Sequence, residues 1–356
     1  MDTRGKCSAH VIGVSLLFRI QGFSGPLRWK VGHALFFSSH LGLIYLCYLN
    51  EINMKTITLS VEFRHGITFS KLISELSEKF QLLQIFCFYK SNSLEKKLSC
   101  FGSEHSRSSY EYGLLLVTAT ATRIDYEVQD YVNSHFTEGM ITVICHGNQS
   151  IWEAIDTSSR FFKAIFTSGE LLYSHDGLLV RPYVQPYNPV NAGRKALKHF
   201  NHRMSLAEGF LTGAAQCLAA ESYNISVFML HQTVEQICIL LIRVHIAYRS
   251  EFHNLSRLLR LCQSFSELPQ KMFFESNESR RLFEVLSRSY SAARYKDDFS
   301  VSRKDAENLF ILIESFVEVA KSMCEKKIEM LEEQATSFAV SEQTTWLSPE
   351  ILATEN

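Results

Sequence analysis

Between Pro189 and Pro349 the chain carries a single proline, Pro269, and this scarcity of helix breakers constrains the fold more than any other feature. Inside that stretch apolar residues recur at steps of three and four. Val227, Leu230, Val234, Ile237 and Leu241 form one such run, and Leu309, Leu312, Phe316 and Val319 another. A stripe of this period is the buried face of an amphipathic helix. The spacing predicts helices over 192–220, 225–248, 254–265, 278–293 and 302–334. Ser302 is placed to cap the last of them, with Asp305 in its first turn. No convincing strand interrupts these segments, so residues 191–335 read as an all-α bundle.

Upstream the pattern changes. Residues 57–63 alternate apolar and polar, as a short strand does, and Leu72, Leu76 and Phe80 then follow at helical spacing. Apolar runs at 82–89, 114–118 and 140–145 predict buried strands. A helix is expected over 150–168, ended by Gly169 ahead of a short strand at 170–173. Strands alternating with helices predict a small α/β domain over 54–178. Pro182, Pro186 and Pro189 make 179–190 an extended linker. Residues 336–356 read as a flexible tail, and the class of the whole is α+β.

Residues 1–53 admit three readings: a signal-like leader around the apolar run 11–18, a membrane anchor at 31–49, or a stretch preceding a folded protein that opens at Met54. His33 and His40 dilute the second run, and a membrane role is disfavoured. Nine scattered cysteines without a C-x-x-C pair argue against a zinc cluster or a disulfide framework and predict a reducing, cytoplasmic setting. The formal net charge of -1 gives no global case for a polyanionic partner.

The bundle holds the most specific motif. Residues 226–235, SVFMLHQTVE, put His231 and Glu235 four apart on one helix face. FHNL follows at 252–255, LFEVL at 282–286, and YSAARYKDD at 290–298. This succession resembles the HEPN family. Its members carry a similar leucine–histidine–glutamine followed by glutamate, a later histidine–asparagine/aspartate–leucine, and an alanine–arginine–tyrosine step before the final helix. The resemblance spans 191–334 and implies a helical bundle associated with nucleotides or RNA. Ligand contacts would then fall to His231, Glu235, His253, Arg288, Arg294 and Tyr295. The same residues also admit a structural role, with His231 and Glu235 as a satisfied polar pair and Arg294 neutralising Glu235. Arg280, Arg281, Arg288 and Arg294, interleaved with Tyr290 and Tyr295, make a succession able to stack bases. Against that stands an ordinary solvated face, since 191–334 holds 19 Lys and Arg against 18 Asp and Glu.

Some HEPN proteins are ribonucleases and resemble one another in a late arginine separated from a following histidine by four to six intervening residues. No histidine follows Arg288 or Arg294 here. Arg194 and His199 have the spacing but open the first helix, and Arg249 to His253 is one residue short. The upstream half resembles a minimal nucleotidyltransferase domain. Active members hold phosphates with a glycine–serine pair and bind Mg²⁺ through a D-x-D strand. The pair's place could be taken by Gly102 and Ser103 or, preferably, by Tyr89 and Lys90 directly after a strand. At the D-x-D position stand Glu111 and Gly113, so one carboxylate remains. Mg²⁺ would enter only if this domain were active, and no other cofactor or metal site is indicated. The expectation is a non-catalytic nucleotide- or RNA-binding module. The alternatives are a nucleotidyltransferase or ribonuclease of a toxin–antitoxin-like or defence system, and a scaffold that self-associates through the bundle.

Overall fold

A computed structural model describes residues 9–11, 14–16, 66–97, 105–121, 124–295 and 298–346. At 9–11, 14–16, 94–97, 105–108, 294 and 341–346 the description is of the backbone alone. The chain divides into two compact units, Met1–Arg64 and His65–Asn356. In the first, β1 (Ala9–Val11) and β2 (Val14–Leu16) pair antiparallel. The strand expected at 57–63 and the apolar run 31–49 lie outside the described residues, as do Gly102, Ser103, Cys7, Cys47 and Cys100.

The second unit opens with α1 (Ile67–Phe80), followed by β3 (Leu82–Lys97) and β4 (His105–Thr118). α2 (Asp125–His135) leads to β5 (Gly139–Gly147), α3 (Asn148–Asp156), α4 (Arg160–Ser168) and β6 (Glu170–Ser174). The strands form one sheet in the order β5-β4-β3-β6, in which β4 and β5 run parallel and the other neighbours antiparallel. α2 makes the crossover that a parallel pair requires.

Alternation along β4 sorts the two faces of the sheet. Tyr112, Leu114 and Leu116 face α1 and α2, where Phe69 stacks on Tyr112 at 4.0 Å between ring centroids. Leu115 and Val117 face the other way. With Phe86, Ile144 and Phe166 they join a core that continues without a break through the helical half. Glu111 and Gly113 share that second face by the same alternation.

The helical half contains α5 (Ala192–Ala219), α6 (Tyr223–His245), α7 (Leu255–Cys262), α8 (Leu268–Phe274), α9 (Asn277–Tyr295) and α10 (Arg303–Trp346). The central helix is α6, long and apolar enough by composition to cross a bilayer, yet mostly buried inside the bundle. Its stripe from Val227 to Leu241 is fully buried. Ser302 caps α10 as expected, its Oγ accepting from the Asp305 N–H at 3.1 Å.

Several elements differ from the sequence expectation, each for a physical reason. The helix expected over 150–168 is two helices, because Ser158 takes a left-handed φ of 60° and turns the chain. β3 and β4 continue past their apolar runs as a polar hairpin, pairing out to Lys97 and His105. The sequence there has no apolar alternation from which a strand can be read. Tyr89 and Lys90 therefore stand inside β3, with no helix beginning after them. α2 and α8 were not foreseen, and α10 runs beyond 334 to Trp346.

β5 is an edge strand, and its outward backbone groups are taken by side chains. Gln129 donates to the Ile141 carbonyl at 2.8 Å and accepts from the Val143 N–H at 3.0 Å. Asp125 accepts from the Cys145 N–H at 2.9 Å, and Arg257 of α7 donates to the Val143 carbonyl at 2.7 Å. Buried backbone groups need such partners, so a bundle arginine becomes a fixed part of the sheet.

Candidate nucleic-acid interface

Of the residues singled out in the sequence, Glu235 and His253 meet directly, with His231 one turn earlier on α6. His231 is buried on α6 and stacks on Tyr290 of α9 at 5.0 Å between centroids. Glu235, one turn further on, accepts from or shares a proton with His253 Nδ1 at 3.0 Å. Its carboxylate is buried while the imidazole is largely exposed, and Glu235 Oε2 has no hydrogen-bond partner among the described residues. Ser289 Oγ donates to the Val227 carbonyl, and Asn224 bonds to Phe299 and Val301, so α9 runs antiparallel to α6. The described partner of Glu235 is His253. The Arg294 side chain lies outside the described residues. Arg288 and Tyr295 are exposed on α9.

On the sheet, the D-x-D-like positions are filled. Tyr89 donates its hydroxyl to Glu111 Oε2 at 3.1 Å. A Cβ added at Gly113 would lie 2.7 Å from the Phe88 ring, so that ring occupies the space a second carboxylate would need. Lys90 pairs with Glu170 at 2.8 Å.

Unneutralised charge lies elsewhere, where α4, the first half of α5 and the end of α6 meet. Arg160 donates to the Val244 and His245 carbonyls, at 2.7 and 3.1 Å, and so caps α6. A cavity of about 210 Å³ beside it is also lined by Lys195, His199 and Arg243. Lys198, Arg203 and Arg249 lie close enough to act electrostatically on His199 or Arg243. Burial first, then these neighbouring cations, holds both His199 and Arg243 below their ordinary pKa. Among the described residues, no carboxylate forms an ion pair with Arg160, Lys195, Lys198, Arg203, Arg243 or Arg249.

Arg160 also lines a larger groove of about 680 Å³ between the sheet and the bundle, with Phe88, His245 and Lys327. His245 stacks on Phe265 at 4.3 Å, and burial pushes its pKa down to about 4, with Lys327 and Arg160 adding to the effect. Glu170 is the groove's one acidic lining residue, and it is already paired with Lys90.

The family model of the HEPN domain matches residues 201–323. Residues 201–323 form a HEPN domain. A comparison with curated proteins finds no match to the chain. The HEPN domain holds α6 to α9 entire, with the second part of α5 and the first part of α10. All six positions carried by the resemblance fall inside it. The cationic side straddles its boundary, since Arg203, Arg243 and Arg249 belong to the domain while Arg160, Lys195 and Lys198 precede it.

A signal for the cationic side was present in the sequence. From residue 177 to 207 there is no Asp or Glu, while Arg181, Arg194, Lys195, Lys198 and Arg203 are all there. Counting charge over the whole bundle hides this, because the acids gather on α10. Asp125 and Gln129, which tie α2 to the sheet, and Arg257, which ties the bundle to it, left no such mark.

Proposed function

We propose that the protein is an RNA-binding HEPN module that holds RNA phosphates along the face formed by α4, α5 and the end of α6. The observation that carries this reading is the group of six lysines and arginines that, among the described residues, form no ion pair with a carboxylate. Like charges held together in a folded protein repel one another, and a polyanion relieves that repulsion while releasing its own counterions. The filled D-x-D-like positions support binding over nucleotidyl transfer, since Glu111 alone cannot assemble a metal site.

The test is fluorescence anisotropy of the full chain with a labelled single-stranded RNA, across about 50 to 200 mM salt. About four phosphate contacts give a slope of log K against log salt near -3, at about 0.7 per contact. Replacing Lys195 and Lys198 by Gln lowers the slope by about 1.4 on the same basis. Binding that ignores salt, or no saturable binding by folded protein, overturns the proposal.

A further inference from the structure

The 210 Å³ cavity is more specific than the surface around it. Arg160 and Arg243 line its half-buried wall with His199, and Lys195 stands exposed at its rim. The Nε and Nη1 of Arg160 form no hydrogen bond among the described residues, because Nη2 alone reaches the α6 carbonyls. The α3–α4 loop and the end of α6 meet here through two non-glycine residues in the left-handed region, Ser158 at φ 60° and Ala247 at φ 59°. Conformations of this kind persist where the surrounding structure holds them, and they gather at ligand sites.

We infer that this cavity is a subsite for a terminal phosphomonoester, the doubly charged phosphate at the end of an RNA strand or on a free nucleotide. Three fixed cations exceed what one internal phosphodiester, with a single negative charge, would neutralise. A phosphomonoester carries about -1.5 to -2 at neutral pH and three free oxygens, which arginine forks can grip in pairs. Size agrees. Sites for whole small molecules run to about 300–1,000 Å³, so this cavity takes the phosphate head and leaves the nucleoside outside. An internal phosphate, tethered on both sides, cannot enter so far. The inference deepens the RNA reading by using the same cationic side, but it does not require that the phosphate belong to RNA.

The experiment uses the full chain and one short RNA in three forms: 5′-phosphorylated, 3′-phosphorylated and unphosphorylated at both ends. A nucleoside 5′-monophosphate and its parent nucleoside serve as competitors. The expected result is at least about tenfold tighter binding of one phosphorylated form, with competition by the monophosphate and not by the nucleoside. Arg243→Met and Lys195→Met each remove most of that preference, and Lys195 is exposed, so its variant folds. Equal affinity for all three RNAs, or a preference untouched by both variants, overturns the inference and leaves the RNA reading standing. Monophosphate binding that Lys195→Met abolishes, with no RNA bound in any form, does the reverse. No binding of any of these probes sinks both.

Discussion

The middle and the end of α6 treat charge in opposite ways. Around its middle, His231 lies against Tyr290 and Glu235 meets His253, so polar groups find partners within the fold. At its end, Arg243 and Arg249 join Arg160 and the cations of α5, and among the described residues none of them forms an ion pair with a carboxylate. Both places carry histidine, and both mix polar with apolar residues. What separates them is whether the protein neutralises its own charge. Paired groups define packing, whereas grouped cations left unpaired define a surface that a partner can complete.

The largest expected effect strikes the cationic end. Lys195→Glu with Lys198→Glu lowers RNA affinity about a hundredfold at low salt and leaves the melting temperature nearly unchanged. His253→Ala changes that affinity less than twofold, if the comparison holds. A reversed ranking in the anisotropy assay breaks it.

The next effect is in pH. The His245 ring titrates near 4 in the folded protein, against 6.5 in the unfolded chain. Between those values the unfolded state takes up a proton that the folded state refuses, so stability falls as pH drops from 6.5 towards 4. Its size is on the order of 2 kcal/mol, allowing for solvent at a half-buried ring. His199 shifts in the same direction. Urea melts of His245→Gln across that window should show a flatter dependence than the parent.

Gly113→Ala comes third, costing roughly 1–2 kcal/mol through overpacking against Phe88. Pairing it with Phe88→Ala recovers part of that cost in a double-mutant cycle. Strict additivity would show that the ring does not fill the space. The smallest effect belongs to the Glu235–His253 contact. Since His253 is largely exposed, removing its ring costs below about 1 kcal/mol in thermal melts.

The helical half was legible because its signal is periodic and local. The α6 stripe, the Ser302 cap and the order of the HEPN motifs all sit in short windows of sequence. The break at Ser158 was not legible, since it rests on one left-handed serine rather than on glycine or proline. Nor was the polar hairpin of β3 and β4, whose sequence has no apolar alternation to read. For the candidate interface the difficulty was spatial. Arg160 comes from the sheet half and Arg243 from the bundle, and only folding sets them around one cavity. Glu111 and Gly113 were found by motif, but the Phe88 ring over Gly113 belongs to packing.

The side chains along β5 carry one more consequence. A sheet edge with free donors and acceptors can be extended by a strand from another molecule. From Ile141 to Cys145 that opening is closed, because Gln129, Asp125 and Arg257 already stand where the next strand's backbone would bond. Shortening Arg257 would therefore expose a carbonyl on an apolar strand and create a template for intermolecular strand addition.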